Sequence, residues 1–439
     1  MQKLNIFFSN SISTHKWGGG EKWMVTAANG LKSRGHNVTL SGKANSEFLK
    51  RAQQAGLKTI PLNIYADYNP LKIWHTKKIL KKQSVDVIVL NLNKDIRVAG
   101  LAAKWARVPA IIARNGIQLF SDKWKYKKTI EIVDGIITNS KSIQAAYNQF
   151  SWMDKDISEI NPEMSSKFDA ILLNLPKATA YSVSEDNCKL KIISRFGVGY
   201  DSVDIKAMKR KNIVVTNTPN AVRRPVAVAA LTMIFASASK LLTKNNLVRS
   251  GQWNERTNFM GVGISGKTLG VIGAGSIGTE TIKLSKPFFN NILVYDPLLS
   301  EQQINQKGAV KSELLELAVK SDFVLILCDL NDSTCGMIDL EFFNKMKKSA
   351  YIFNLSRGPV INEPDLEYAL ENEKISGAGL DVTTVEPLSR DSKLLEHENV
   401  IITPHALCWT DECFHDIATE AINSILNFID KKPILNQVT

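Results

Sequence analysis

Residues 268 to 278 read Thr-Leu-Gly-Val-Ile-Gly-Ala-Gly-Ser-Ile-Gly, an apolar strand that runs straight into glycines at 273, 275 and 278. No other stretch restricts the fold as much. Gly273 allows a tight turn, Gly275 lets the backbone approach a diphosphate, and Gly278 lets the following helix pack close to its strand. That helix begins at Ser276 and Ile277, and its N-terminus offers unpaired N–H groups and the positive end of the dipole. A second apolar run, Asn291 to Tyr295, ends in Asp296, 18 residues past Gly278, where a carboxylate can accept hydrogen bonds from an adenosine ribose. A 2′-phosphate beside Asp296 would be repelled, so the pattern favours NAD as cofactor. The alternative for Asp296 is a turn residue ahead of Pro297.

A chain of 439 residues is long enough for two or three domains, each with its own core. No apolar run approaches the ~18 residues of a bilayer span, and the Met1 to Phe8 segment is too short in its apolar part for a signal peptide. The expectation is a cytoplasmic protein without a membrane span. The five cysteines, Cys188, Cys328, Cys335, Cys408 and Cys413, form no CxxC pair, which suits reduced packing thiols better than disulfides or a metal site. The net charge of +12 is uneven: residues 1 to 160 carry 25 Lys+Arg against 11 Asp+Glu, and the remainder 30 against 32. Six of the eight tryptophans also precede residue 160, so two differently built parts meet near there.

In the first part, Asn5 to Phe8 reads as a strand, Gly18-Gly-Gly-Glu21 as a loop, Trp23 to Leu31 as a helix and Asn37 to Leu40 as a second strand. Strand runs recur at Val85 to Leu90, Ala110 to Ala113 and Gly135 to Thr138, the pattern of a parallel sheet flanked by helices. The runs Gly18-Gly-Gly-Glu-Lys-Trp-Met, Leu31 to Leu40 and Asp134 to Ser140 resemble the N-terminal, acceptor-side domain of GT-B glycosyltransferases. In that family the Gly-rich loop faces a cleft between two Rossmann-like domains. The donor-binding half has no counterpart later in this chain, which argues against sugar transfer. Lys77-Lys78, Lys81-Lys82 and the run Lys123 to Lys128 could contact an anionic glycan or a membrane surface, or simply form solvated helix faces. No motif supports nucleic acid binding, and His15, His36 and His75 lack ligand spacing.

In the second part, Phe168 to Leu173, Leu190 to Ser194 and Ile213 to Thr216 read as strands, and Val226 to Leu242 as a long apolar helix. Oxidising an alcohol beside a carboxylate needs a base, a cation for the carboxylate and a nearby nicotinamide. His405, in Ile401-Ile-Thr-Pro-His405, is the candidate acid/base. Glu386, in the run Gly379 to Pro387, would pair with it, fixing its tautomer and favouring the imidazolium. Arg357, in Asn354-Leu-Ser-Arg-Gly358, would fork onto a substrate carboxylate. Taken singly, His405 could be a turn residue and Arg357 a surface ion-pair partner.

Together with Arg195-Phe-Gly-Val-Gly-Tyr-Asp-Ser-Val-Asp204 and the glycine loop, these motifs resemble the D-isomer-specific 2-hydroxyacid dehydrogenases, which include phosphoglycerate dehydrogenases. The likeness covers roughly residues 165 to 439 and assigns the same roles to His405, Glu386 and Arg357. It further implies that the amides of Val198 and Gly199 hold the substrate carboxylate and that Asp381 contacts the nicotinamide carboxamide. Cys328, at a strand end facing the cofactor cleft, is expected to line it. Dimerisation through the cofactor domain is also implied.

The match departs at three places. The two strands and helix that open the family's substrate domain are replaced by the basic domain, leaving a sheet edge that the fused domain or a partner would have to cover. Asn174 and Pro176 stand where phosphoglycerate dehydrogenases place arginines, with only Lys177 nearby, so a non-phosphorylated acid gains ground over 3-phosphoglycerate. Val228 stands where many members carry glutamate. The expected fold is α/β: a GT-B-like Rossmann domain over 1–158, a truncated flavodoxin-like substrate domain over 159–219 with 410–439, and an NAD-binding Rossmann domain over 220–409. The expected activity is NAD-linked hydride transfer between a 2-hydroxy acid and its 2-oxo acid. A non-catalytic NAD-binding or regulatory module and a glycan-binding or sugar-transfer protein are the alternatives.

Overall fold

A computed structural model describes residues 3–65, 67–114, 124–137, 158–174 and 176–439. Lys123 of the basic run and Thr138 to Ser140 of the glycosyltransferase-like motif lie outside the described residues. The chain divides into two compact units, Met1–Ile157 and Ser158–Thr439.

The first unit holds six parallel strands: β1 (Asn5–Asn10), β2 (Asn37–Gly42), β3 (Lys58–Pro61), β4 (Val87–Leu90), β5 (Ala110–Arg114) and β6 (Gly135–Ile137). They lie in the order β3-β2-β1-β4-β5-β6, which places the topological switch between β1 and β4. Both sheet faces are apolar because both are covered. Ile6 and Phe8 of β1 pack with Met24, Ala28, Phe48 and Leu49 on one side. Phe7 packs with Ile73, Leu80, Ile96 and Val98 on the other. Alternation along a strand thus feeds two cores at once. The third strand and the helices Glu47–Gln54, Pro70–Lys82 and Leu101–Ala106 were not foreseen from sequence; their lysines and glutamines mask the apolar period.

The second unit contains two sheets. A three-stranded parallel sheet runs β7 (Ala170–Leu173), β8 (Ile192–Arg195), β9 (Val214–Thr216) in that order. A seven-stranded parallel sheet is built from β10 (Thr268–Ile272), β11 (Asn291–Tyr295), β12 (Val310–Lys311), β13 (Phe323–Ile326), β14 (Tyr351–Asn354), β15 (Gly377–Leu380) and β16 (Val400–Ile402). Its order is β12-β11-β10-β13-β14-β15-β16, so the switch falls between β10 and β13, beside the glycine loop. On β13, Phe323 and Leu325 enter one core and Val324 and Ile326 the other.

The helix expected over Val226 to Leu242 begins earlier and ends earlier, as Pro219–Ala238. Pro219 sits at its first turn, where a missing N–H is harmless, and Lys240 at φ 51° breaks the path before a second helix, Leu241–Arg249. The first of these helices is long and apolar enough to cross a membrane. It is a core helix here: Ala229, Ala230, Met233 and Ile234 pack into the same core as Phe323.

The C-terminal helix Asp411–Ile429 returns to the small sheet, where the Ser194 hydroxyl donates to the Ala421 carbonyl at 3.0 Å. Beyond it the tail adds to β9: the Val438 N–H donates to Val215 O at 2.8 Å, and Gln437 forms an antiparallel bridge with Thr216. One edge of the small sheet is therefore closed by residues far along the chain. Among the described residues, β7 pairs on one side only, with β8.

Candidate functional site

The glycine loop connects β10 to the helix Ser276–Ser285. Gly273 has φ 94°, and a Cβ there would lie 2.6 Å from the Cys328 amide nitrogen, so turn and packing both require glycine. A Cβ on Gly278 would collide with the Gly273 carbonyl. Gly275, the residue capping the helix, has nothing within 4 Å of its would-be Cβ and is open to solvent. The three glycines thus serve a turn, an open cradle and a close helix crossing, and the cradle fits a dinucleotide phosphate at a helix N-terminus. Ser276 is exposed at that N-terminus, while Ile277 is half-buried against Ala221, Val222 and Cys413.

Asp296 follows β11. Its Oδ2 accepts from the Ala274 N–H at 2.9 Å and its Oδ1 from the Leu298 N–H at 3.0 Å, tying the carboxylate to the loop and keeping it at the cradle's rim. Cys328 lies against Gly273, and burial pushes its thiol up to about 12, with the carboxylates of Asp329 and Asp296 adding to the effect. It is a packing thiol rather than a nucleophile.

On the other side of the unit's cleft, Pro404 and His405 form a turn in which His405 takes φ 53°. Asp381 anchors that turn. Its buried Oδ1 accepts from the Thr403 hydroxyl at 2.6 Å and from the Ala406 and Leu407 N–H groups at 3.1 Å each. Among the described residues Oδ2 has no hydrogen-bond partner. The His405 Nδ1 lies 2.9 Å from Glu386 Oε2, and the other Glu386 oxygen accepts from the Thr383 N–H at 3.3 Å. With Nδ1 so engaged, Nε2 is the ring nitrogen left for proton exchange.

Arg357 leaves β14 on a loop braced by Asn354, whose side-chain amide donates to the Arg357 carbonyl at 2.9 Å. Its Nε donates to Asp201 Oδ2 at 2.7 Å and its Nη1 to the Ser356 carbonyl at 2.7 Å. Its far end presses on Gly199, where a Cβ would stand 2.8 Å from the Arg357 Cζ. The guanidinium is therefore already shared, and the N–H groups left over are those nearest Gly199. Val198 and Gly199 are half-buried, and among the described residues no backbone hydrogen bond uses their amides.

Arg195, to which the sequence pattern assigns no role, ends β8 and enters the same cleft. Its Nε donates to the Gly199 carbonyl at 2.8 Å, and its Nη1 donates to the carbonyls of Leu173, at 3.1 Å, and Asn174. Burial lowers its pKa, the neighbouring Arg357 charge lowers it further, and Asp201 opposes both. Asp201 was missed as well. A carboxylate two residues past a glycine pair was the available signal. The cleft encloses about 320 Å3 between Asn174, Arg195, Asp201, Arg357, Glu386 and His405. It joins residues of the small sheet to residues that follow three strands of the large one. Among the described residues no group of three or more His, Cys, Asp or Glu could hold a metal ion.

Residues 231–406 match the family model for the NAD-binding domain of D-isomer-specific 2-hydroxyacid dehydrogenases. A glyoxylate reductase of Korarchaeum cryptofilum is 34% identical over 263 residues, covering 59% of this chain and 79% of that protein. The chain belongs to the D-isomer-specific 2-hydroxyacid dehydrogenase family. A D-3-phosphoglycerate dehydrogenase of Synechocystis sp. is 36% identical over 270 residues, 62% of this chain, and the chain spans only 48% of that relative. A solved structure of a 2-hydroxyacid dehydrogenase from Polaromonas sp. is similar with a TM-score of 0.58 at 25% identity, covering 68% of this chain and 97% of the other. The D-lactate dehydrogenase of Aquifex aeolicus, solved with NAD and lactic acid, shares the fold with a TM-score of 0.57 at 24% identity, over 74% of this chain and 98% of the other. Residues 17–162 match the model of Glycosyltransferase Family 4, so the family's NAD-binding domain is fused here to a glycosyltransferase-like one.

Proposed function

We propose that the second unit catalyses reversible, NAD-linked hydride transfer between a small D-2-hydroxy acid and its 2-oxo acid. The observation that carries this reading is the His405–Glu386 pair, 2.9 Å apart, in one small cleft with Arg357. Gly273, Gly275 and Gly278 would cradle the pyrophosphate with Ser276 and Ile277, and Asp296 would take the ribose hydroxyls, which supports NAD over its phosphorylated form. Bound there, the nicotinamide would accept or return the hydride. Cys328 would line its pocket, and Asp381 would offer its second oxygen to the carboxamide.

In this scheme the His405 Nε2 takes the hydroxyl proton during oxidation and returns it during reduction, while Glu386 holds the tautomer and stabilises the imidazolium. Arg357 neutralises the carboxylate and polarises the oxo group, and the amides of Val198 and Gly199 complete the carboxylate site. A small acid without a phosphate is favoured because two of the three Arg195 nitrogens are committed to backbone carbonyls. We assign the substrate-domain role to 159–219 with 410–439 and the cofactor-domain role to 220–409. We also propose a homodimer, supported by the exposed side chains of Leu241, Leu242, Val248, Trp253 and Met260 along one arm. A cytoplasmic site, where reduced thiols and the nicotinamide pool coexist, agrees with five free cysteines.

The test is NADH fluorescence titration of the full chain followed by a screen of 2-oxo acids for NADH oxidation. His405→Gln should bind NADH as before and lose turnover by at least ~100-fold. Tight NADH binding with no turnover on any 2-oxo acid would instead identify a non-catalytic module, and unchanged turnover in the variant would remove His405 from the chemistry.

A further inference from the structure

The helix Pro70–Lys82 of the first unit buries Ile73, Thr76 and Leu80 against the sheet, and its N-terminus is capped by Asn69, which accepts from the Lys72 N–H at 3.1 Å. That face satisfies its core. The opposite face carries more apolar surface than a solvated helix needs: Leu71 is 79% exposed and Trp74 55% exposed. Lys78 stands over the Trp74 ring at 3.6 Å, and Lys81 and Lys82 follow. Positions 71, 74, 78 and 82 fall on a single stripe of an α-helix. The helix has five lysines and no carboxylate, and among the described residues none of the five is ion-paired. Ahead of the helix, Tyr65 and Tyr68 are exposed as well, with Lys43 over Tyr65 at 5.2 Å. The helix Leu101–Ala106, packed beside it, adds an exposed Trp105.

We infer that this face docks on an anionic lipid bilayer surface. Charge complementarity selects a polyanion, since the part of the chain up to residue 160 carries 25 Lys+Arg against 11 Asp+Glu. The apolar end of the stripe then selects among polyanions. A stacked sugar ring would suit Trp74 alone, and a sulfated glycan or nucleic acid offers nothing that would bury Leu71 beside it. A bilayer interface accepts both, with leucine and tryptophan at the acyl boundary and lysines at the lipid phosphates. The helix lies flat, because its buried face stays on the sheet, and the protein attaches without spanning.

Co-sedimentation of the full-length protein with extruded vesicles tests this, comparing phosphatidylcholine alone with phosphatidylcholine mixed with phosphatidylglycerol. Binding to the mixed vesicles only, weakened by added salt, is the expected result. Replacing Lys78 and Lys82 together by glutamine should weaken it on the order of 25-fold, roughly fivefold for each near-surface lysine. Leu71→Ser should also weaken it while leaving the salt dependence intact, and Trp74→Phe should reduce the blue shift of tryptophan emission that vesicles induce. Far-UV circular dichroism and an unchanged thermal unfolding profile serve as the control for folding in each variant. Sedimentation with neither vesicle overturns the inference. So does retention of binding in Leu71→Ser when soluble heparin competes fully, which would make the face a site for soluble polyanions.

Discussion

At the residue scale, the cleft depends on how each charge is already occupied. Arg357 donates Nε to Asp201 and Nη1 to a carbonyl, so a substrate carboxylate bound as proposed would meet a guanidinium held in one orientation rather than a free cation. Lysine keeps the charge but loses the fixed planar fork. Arg357→Lys should therefore lower kcat/KM by roughly 10- to 100-fold, the worth of one charge-assisted hydrogen bond, with NADH affinity unchanged; steady-state kinetics with the best 2-oxo acid would show it. In the first unit Asp95 is fully buried and accepts from the Ser11 N–H at 3.0 Å and the Leu92 N–H at 3.2 Å. Burial raises its pKa above the ordinary 3.8, only partly offset by its bonds to Ser11 and Leu92 and by Lys94. A raised acid binds its proton more tightly in the folded unit than in the unfolded chain. Stability is therefore greatest below the ordinary value and falls as pH rises from there through the raised one. Thermal unfolding of the full chain across pH should show a smaller decline above roughly pH 4 in Asp95→Asn than in the parent, whatever its absolute midpoint. Equal slopes would mean that Asp95 titrates normally.

At the element scale, glycines let the loops that carry the cleft's side chains lie close together. A Cβ on Gly358 would collide with the Thr383 carbonyl, so this glycine lets the Arg357 loop lie against the loop that carries Glu386. Apolar runs made most strands of the first sheet, the small sheet, β10 and β11 readable, and the strand-to-helix glycine pattern made the cofactor loop readable. The break at Lys240 was not, because the apolar composition continues across it into Leu241 and Leu242. Beyond the break, Leu242 and Trp253 are exposed. If these side chains form the dimer contact, replacing Leu242 and Trp253 together by aspartate should convert a dimer to a monomer in light scattering after gel filtration. A parent protein that is monomeric at micromolar concentration would sink the assignment.

At the scale of the whole molecule, a unit of the 2-hydroxyacid dehydrogenase family whose small sheet has three strands is joined to a basic glycosyltransferase-like unit. The edge of β9 is closed by the chain's own tail, whereas β7 has one strand neighbour among the described residues. Residues 158–439 expressed alone should be poorly soluble or inactive if the first unit or a partner is needed to cover β7. A monodisperse fragment with full turnover would show that the smaller sheet stands by itself. By itself the sequence determined the α/β class, marked a change of composition near residue 160, and offered the glycine loop with His405, Glu386 and Arg357 as candidates for the site. These are legible because they rest on local signals: apolar period, glycine spacing and residue type at strand ends. Only the tertiary structure decided that Asp201 pairs with Arg357 across 156 positions, that Arg195 is spent on backbone carbonyls and that the tail completes the small sheet. It likewise decided that Leu71 and Trp74 face solvent. Such pairings arise where separate sheets and loops close on one another, and no periodicity within a single stretch of chain encodes which distant group will arrive.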